Sequence, residues 1–372
     1  MTSKERVAAA LARKVPDKVP YGEFAIDYDT AERLLGHKTY YRNKAGIQIA
    51  VWEGRWNEMA QSIIEDGLAL VEKVDQDIIS AQFLPSREAE RPRRIDDATY
   101  EYADGRVLRY SSTTNDFTVV HWPDRNYMPT DSEIEKLADG YAWEDYRLDA
   151  VRSMVARYGG EKFIASGAAI EVGMPLFGGM ENGLMYYLTD PGRMKAYLEA
   201  ATIGAAKSDA KHLSLGFDGV FWGTDYAYNA GPFLSPAMFA EFVVPYTKAR
   251  AASVHERGFP VIQHACGNNW PILDYFVEMG FDCYQSIQNS AGMDLKRLKK
   301  QYGRKLAFWG GVGVENLVSG AAEDVRRDVE YALRWGKPGG GYIFGTSHSV
   351  AVGTKYDNYM TMLEEFNRRR DY

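Results

Sequence analysis

The chain has 372 residues, 45% hydrophobic and 26% charged, a composition that supports a large buried core and excludes a disordered protein. Its 44 Lys and Arg are outnumbered by 51 Asp and Glu, and the net charge of -7 argues against a nucleic-acid-binding protein. Two cysteines exclude a disulfide scaffold, and no apolar run approaches the roughly 20 residues of a membrane span.

Short β-rich runs recur along the chain, and segments with helical periodicity lie between them. The predicted strands are residues 19–24, 77–83, 162–168, 219–226, 260–266, 281–287, 306–312 and 341–348. Strands that alternate with helices indicate an α/β protein with a parallel sheet, and eight of them fit a closed (β/α)8 TIM barrel. A doubly wound open sheet is the alternative, but no glycine-rich phosphate loop follows the first strand.

Two segments depart from this simple alternation. Residues 36–76 have a helical pattern with Trp52 and Trp56 on one face. Residues 86–128 alternate and turn at 103–105, which predicts a β-hairpin excursion after the second strand. We therefore expect a barrel with an N-terminal elaboration, built as one domain from residues 1–372.

Polar side chains stand at the carboxyl ends of the predicted strands, where barrel enzymes place their chemistry. These are Glu23, Gln82, Glu171, Asp225, His264, Cys266, Gln285, Gln288 and His348. Because alternate residues of a strand point to the same side, His264 and Cys266 can converge at the barrel mouth. Imidazole and thiolate together favour zinc among the available metals.

The number of cysteines decides which kind of zinc site to expect. A structural site normally uses four protein ligands, but the other cysteine, Cys283, lies early in the next strand. We therefore predict a three-ligand catalytic site with an open position, in which His348 is the third ligand because all strand ends face one mouth. The alternative is that His264 is a substrate-binding base and Cys266 a buried small hydrophobic residue.

Two carboxylates are the candidate catalytic residues. Asp225 follows the fourth strand, where it could bind a cation, orient a histidine or act as a general acid or base. Capping of the following loop is the alternative for Asp225. Glu171 follows the third strand and is predicted to contact the metal or the substrate, with an exposed position just past the strand as its alternative.

Substrate binding is assigned to one amide and to aromatic residues near the strand ends. The candidates are Gln285, Trp222, Tyr226 and Trp309. The three aromatic residues would form a wall for a planar ligand, and core packing is the alternative explanation for them.

Several segments resemble the uroporphyrinogen decarboxylase superfamily. They are residues 2–7 and 16–20, HACG at 264–267, GMDLKRLKKQYG at 292–303, LAFWGGV at 306–312 and GGGYIFGTSHSV at 339–350. The likeness runs through most of the chain and is strongest from about Gly216 onward. It implies a (β/α)8 barrel, in agreement with the strand count.

The decarboxylase branch of this superfamily is a poor match. Its arginine-rich substrate signature is replaced here by Tyr21-Gly22-Glu23-Phe24, and Gln82 stands where the decarboxylase has an aspartate. Without arginines for propionates and an aspartate for pyrroles, we do not expect decarboxylation of a tetrapyrrole.

The chain is more similar to the zinc- and corrinoid-dependent methyltransferases, which act on coenzyme M or in O-demethylation. These use His-x-Cys and a later cysteine as zinc ligands, and His264 and Cys266 match the first pair. Counted back from Asn358, the position of the later cysteine falls on His348. Histidine keeps a competent zinc ligand but makes the site less thiolate-rich, which favours a less soft substrate than a thiol, such as a methyl ether.

The resemblance thus implies a zinc-dependent methyltransferase that moves a methyl group between a small methylated substrate, such as an aromatic methyl ether, and a corrinoid (cobalamin). A separate corrinoid protein is implied, because the chain shows no corrinoid-binding motif such as Asp-x-His-x-x-Gly. A lyase acting on a non-tetrapyrrole acid and a non-catalytic corrinoid- or ligand-binding module are the alternatives. Because the first residues lack an apolar signal segment, we expect a cytoplasmic protein.

Overall fold

The computed structural model describes residues 1–123, 126–141, 143–167 and 172–372. Its strands in these ranges are β1 (Ile78–Ala81), β2 (Arg93–Arg94), β3 (Thr99–Glu101), β4 (Val107–Ser111), β5 (Asp116–His121), β6 (Phe163–Gly167), β7 (Gly219–Gly223), β8 (Ala227–Tyr228), β9 (Gly231–Pro232), β10 (Val261–His264), β11 (Cys283–Ser286), β12 (Ala307–Gly310) and β13 (Tyr342–Ile343). Its helices there are α1 (Ser3–Leu11), α2 (Tyr28–Leu35), α3 (Lys44–Trp52), α4 (Trp56–Val74), α5 (Asp131–Leu137), α6 (Asp149–Tyr158), α7 (Met180–Thr189), α8 (Pro191–Leu213), α9 (Pro236–Phe242), α10 (Val244–His255), α11 (Leu273–Glu278), α12 (Leu295–Tyr302), α13 (Val314–Val318), α14 (Ala322–Gly336) and α15 (Tyr356–Arg369).

Within the described ranges, seven parallel strands form one sheet in the order β1-β6-β7-β10-β11-β12-β13. The segment around Tyr21 joins the two edges of this sheet. Its carbonyl oxygen accepts hydrogen bonds from Asp77 N at 2.7 Å and Ile78 N at 3.2 Å, and Tyr21 forms a parallel bridge with Phe344. The first predicted strand therefore closes the barrel through an isolated bridge, and the predicted (β/α)8 architecture is confirmed.

Strand residues alternate between the barrel interior and the surrounding helices. On β7, Phe221 packs with the interior residues, whereas Trp222 packs in the layer between the sheet and the helices. Leu11 of α1 belongs to the interior cluster, and Lys4 N donates to Glu161 O just before β6 begins. Helix α1 thus covers the amino end of the barrel, which leaves the carboxyl ends of the strands for the site.

The excursion after β1 is an antiparallel sheet of β2, β3, β4 and β5. Its turn lies where the sequence predicts it, with Tyr102 N donating to Arg106 O at 2.9 Å and Gly105 at a φ of 86°. The sheet contains the predicted hairpin and extends it on both sides. Trp52, at the end of α3, packs against this sheet, with its ring centroid 5.1 Å from that of Phe117.

Two stretches between strands each contain two separate helices. Residues 131–158 contain α5 and α6, and Gly140 between them has a left-handed φ of 84° that glycine adopts at little cost. Residues 236–257 contain α9 and α10, and Pro245 lies at the start of α10. Proline has no N–H, so a single helix through this stretch would lack a hydrogen bond at Pro245. Among the described residues, none of the helices has the length and apolarity that a membrane crossing requires.

Candidate active site

His264, Cys266 and His348 meet at the carboxyl end of the barrel. His264 ends β10, Cys266 follows in the next loop, and His348 lies in the loop after β13. Their ligand atoms all lie within 4.8 Å of one another, and His264 Nε2 is 3.4 Å from Cys266 Sγ. The parallel sheet produces this convergence, because it directs residues far apart in sequence to the same end of the barrel.

The imidazole of His264 is held from its edge and its face. Its Nδ1 hydrogen-bonds to Gln285 Oε1, which lies directly opposite on β11 in the strand register. The phenyl ring of Phe24 stacks on it, with the ring centroids 4.6 Å apart. Burial lowers the pKa of His264, which favours the neutral imidazole. Because Gln285 Oε1 is an acceptor, the proton of this imidazole lies on Nδ1 and the lone pair on Nε2.

Cys266 is held by its backbone at the edge of the site. Its N–H donates to Asp225 Oδ1 at 2.7 Å, and its Sγ lies 3.6 Å from Ser286 Oγ. The loop passes so close to β8 that a Cβ at Gly267 would lie 2.4 Å from Ala227 O. Burial raises the pKa of the thiol to about 12, whereas a bound cation would favour the thiolate.

His348 stands opposite His264, with their ring centroids 5.7 Å apart. Its Nδ1 lies 3.0 Å from Ser349 Oγ, and burial lowers its pKa. Thr346, two residues earlier, donates its N–H to Glu23 Oε2 at 3.0 Å. The polar end of the first predicted strand therefore supports the loop that carries His348.

The three residues fit a zinc ion of the catalytic kind. Tetrahedral zinc with bonds of about 2.0 Å to nitrogen and 2.3 Å to sulfur spaces its ligands by about 3.5 Å, so the present group needs to contract by about 1 Å. Two neutral imidazoles and one thiolate, which a bound cation would favour, are a donor set that zinc accepts. Among the described residues, no fourth His, Cys, Asp or Glu belongs to this group, so a position is left for substrate or water.

A cavity of about 490 Å³ opens beside these ligands, a size within the usual range of small-molecule sites. Its lining consists of Asp225, Ala227, Tyr228, Asn229, Cys266, Gly267, Gln288, Val314, Ser347 and His348. The Asp225 side chain is about half exposed, and its Oδ1 is 3.8 Å from His264 Nε2. Among the described lining residues there is no lysine or arginine, so this cavity does not favour an anionic substrate.

The predicted aromatic wall differs from the observed structure. Trp222 packs beneath the guanidinium of Arg250 in the helix layer, with 4.1 Å between the Arg250 Cζ and the ring centroid. Tyr226 is 1% exposed and packs edge-on against Phe239. Trp309 lies in the barrel interior, where its Nε1 donates to Gly22 O at 2.8 Å. In the described part of the chain these three residues stabilise the core, and Tyr228 is the aromatic residue of the cavity.

Gln285 is fully buried and contacts His264. It therefore orients the imidazole of His264 and does not line the cavity. Glu171 lies outside the described residues.

The sequence prediction assigned no role to Phe24. Phe24 is the last residue of the first predicted strand, which is the available signal. Which neighbour faces the mouth depends on how the barrel closes, and a single sequence does not contain that information.

The chain resembles known proteins in sequence and in fold. The family model described as uroporphyrinogen decarboxylase (URO-D) matches residues 127–369. The methylated-thiol–coenzyme M methyltransferase of Methanosarcina mazei is 24% identical over 181 residues, which cover 48% of this chain and 46% of that relative. The match thus spans about half the length of the curated relative. A solved methyltransferase structure from Methanosarcina mazei has a TM-score of 0.69 at 19% identity over 99% of both chains, and it shows the same fold.

Proposed function

We propose that this chain, which belongs to the uroporphyrinogen decarboxylase (URO-D) family, is a zinc-dependent methyltransferase that works with a corrinoid carried by a partner protein. The observation that carries the proposal is the convergence of His264, Cys266 and His348 beside a cavity of small-molecule size. Similarity to a methyltransferase of Methanosarcina mazei supports methyl transfer as the reaction class.

The chain's own residues would prepare the site for the metal. Gln285 keeps the proton of His264 on Nδ1, and Asp225 holds the backbone of Cys266, so that Nε2 and Sγ point to one place. When bound, zinc would supply Lewis acidity to the atom from which the methyl group departs.

The substrate class we propose is a small methyl ether, such as an aromatic one. The cavity has the volume for a single substituted ring, and Tyr228 lines it. A histidine as third ligand in place of a second thiolate suits an oxygen leaving group. On cleavage, the ether oxygen keeps the bonding electron pair while the methyl group passes to the partner's corrinoid.

Asp225 is the candidate for orienting a substrate proton, because its half-exposed carboxylate lines the cavity next to Cys266. Glu171, which follows β6 outside the described residues, is the second candidate. A lyase acting on a carboxylic acid would need a cation in the cavity, and the described lining contains no lysine or arginine.

The test combines metal analysis with methyl transfer. Purified wild type, His264→Ala, Cys266→Ala and His348→Ala are analysed for zinc, with His121→Ala as the control because His121 is exposed on β5. We expect about one zinc per chain in the wild type and the control, and loss of zinc in the other three variants. In the variants that lose zinc, the rate of methyl transfer from methoxybenzenes to cob(I)alamin should fall at least about 100-fold. Full zinc occupancy in the His264 and Cys266 variants would contradict the proposal.

A further inference from the structure

Asp27 occupies the N-cap position of α2, yet in the described part of the chain its carboxylate does not cap that helix. An aspartate there normally accepts a hydrogen bond from the first turn. Asp27 is instead 7% exposed and accepts from Ser349 Oγ at 3.1 Å and from Arg42 Nε at 3.1 Å. Its side chain thus serves the loop that carries His348.

The direction of these hydrogen bonds determines where the proton of His348 lies. The Ser349 hydroxyl has one hydrogen, which it donates to Asp27, so its oxygen can only accept from His348 Nδ1 at 3.0 Å. Neutral imidazole carries one proton, and with that proton on Nδ1 the lone pair is on Nε2. We propose that Asp27 and Ser349 are positioning residues that fix the metal-binding tautomer of His348, an inference that rests on the proposed function.

Backbone contacts hold this arrangement independently of the side chains. Asp27 N donates to Val350 O at 2.9 Å, and Val350 N donates to Ala25 O at 2.8 Å. Removing the Asp27 charge should therefore leave the loop in place and change only the hydrogen-bond direction. This separates the positioning role of Asp27 from a purely structural one.

Asp27→Asn has a specific expected effect. If the asparagine oxygen accepts from Arg42, its NH2 group faces Ser349 and donates to Ser349 Oγ. The hydroxyl then donates to His348 Nδ1, which moves the imidazole proton to Nε2 and removes the lone pair that would bind the metal. Loss of the hydroxyl in Ser349→Ala leaves His348 Nδ1 without this partner.

The experiment measures zinc affinity by chelator competition in the full chain and the imidazole ¹⁵N shifts of the zinc-free protein. The control is Asp29→Asn, since Asp29 accepts from Gly353 N at 2.7 Å in the same region. We expect Asp27→Asn and Ser349→Ala to weaken zinc binding about 10- to 100-fold and the control to stay near wild type. The Nε2–H signal of His348, assigned with His348→Ala, should appear in Asp27→Asn.

Two results separate the inference from the function. Wild-type zinc affinity in both Asp27→Asn and Ser349→Ala, with loss in His348→Ala, would overturn the inference and leave the proposed site intact. Undiminished zinc binding in His348→Ala would overturn both. If Asp27→Asn fails to fold by circular dichroism, Ser349→Ala decides the question alone.

Discussion

The phenyl ring of Phe24 lies almost parallel to the imidazole of His264, with an interplanar angle of 13° and ring centroids 4.6 Å apart. Phe24 follows the residues that close the barrel, whereas His264 ends β10. This contact joins two distant parts of the chain at the candidate metal site. It holds the plane of the imidazole while Gln285 holds its edge.

Replacing Phe24 tests how much this stacking contributes to protein stability and to zinc affinity. We expect Phe24→Ala to lower the free energy of unfolding by about 1–3 kcal/mol, less than for a fully buried phenylalanine because Phe24 is half-buried. Zinc affinity should also fall, since the imidazole gains freedom. Urea unfolding and chelator competition measure the two effects. Phe24→Leu is the matched control, and it should recover most of the stability because it keeps apolar volume.

A second prediction concerns the hydrogen bond from His264 to Gln285. Gln285→Met keeps the length of the side chain but removes the acceptor, which leaves a buried N–H without a partner and costs about 1–3 kcal/mol. Zinc affinity should fall about 10- to 100-fold because the tautomer is no longer selected. Gln48→Met is the control, because Gln48 lies on α3 and its side chain contacts Tyr102 in the turn of the antiparallel sheet. Equal zinc affinity in Gln285→Met and the wild type would show that the contact does not position His264.

Tyr228 is predicted to contact the substrate ring. It lines the cavity, is 55% exposed, and is held by a hydrogen bond from Asn268 N to its carbonyl oxygen at 2.9 Å. We expect Tyr228→Ala to raise KM for a methoxybenzene about tenfold, an effect of about 1.4 kcal/mol, with less change in kcat. Steady-state kinetics measure this split.

Two further variants qualify the Tyr228 result. Tyr228→Phe should stay near wild type, because it keeps the ring. Tyr110→Ala removes an exposed tyrosine from β4 and should have no effect on KM. A KM unchanged in Tyr228→Ala would exclude the ring as a substrate contact.

The buried carboxylate of Glu23 predicts a pH dependence of stability. Burial raises its pKa to about 7, although hydrogen bonds from Thr346 and Tyr21 offset part of this rise. Because the folded pKa lies above the unfolded one, the folded state holds the proton more tightly, and stability falls as pH rises from about 4.5 to about 7. The neighbouring Tyr21 and Tyr359 stay neutral in this range, since burial raises their pKa values further above 10.

Glu23→Gln removes this titration. Between pH 5 and pH 8 the wild type should lose roughly 2–3 kcal/mol of unfolding free energy relative to the variant. Urea unfolding of the zinc-free proteins at both pH values measures the difference. Parallel pH profiles for the two proteins would refute the assignment to Glu23.

The convergence of His264, Cys266 and His348 could be predicted from the sequence, because it depends on where the strands end. His264 ends β10, Cys266 follows two residues later in the loop, and the order of the strands places His348 at the same mouth. The observed separations, all within 4.8 Å, agree with that placement. Their role as metal ligands remains the proposal that zinc analysis tests.

The orientation of Trp222 and Trp309 could not be predicted in the same way. Strands of a parallel barrel are buried on both faces, so Phe221 and Trp222 are equally apolar and do not reveal which one faces inward. Closure of the barrel decided this by turning Trp222 towards Arg250 and Trp309 towards Gly22.

The sequence by itself therefore determined the alternation of strands and helices and the polar residues that end the strands, because both are properties of short segments. Only the tertiary structure decided that Phe24, Asp27 and Ser349 support the candidate ligands. Their contacts join residues more than 200 positions apart, such as Ser349 and Asp27, across the closing edge of the barrel. Such pairs depend on strand register and loop path, which no local pattern specifies.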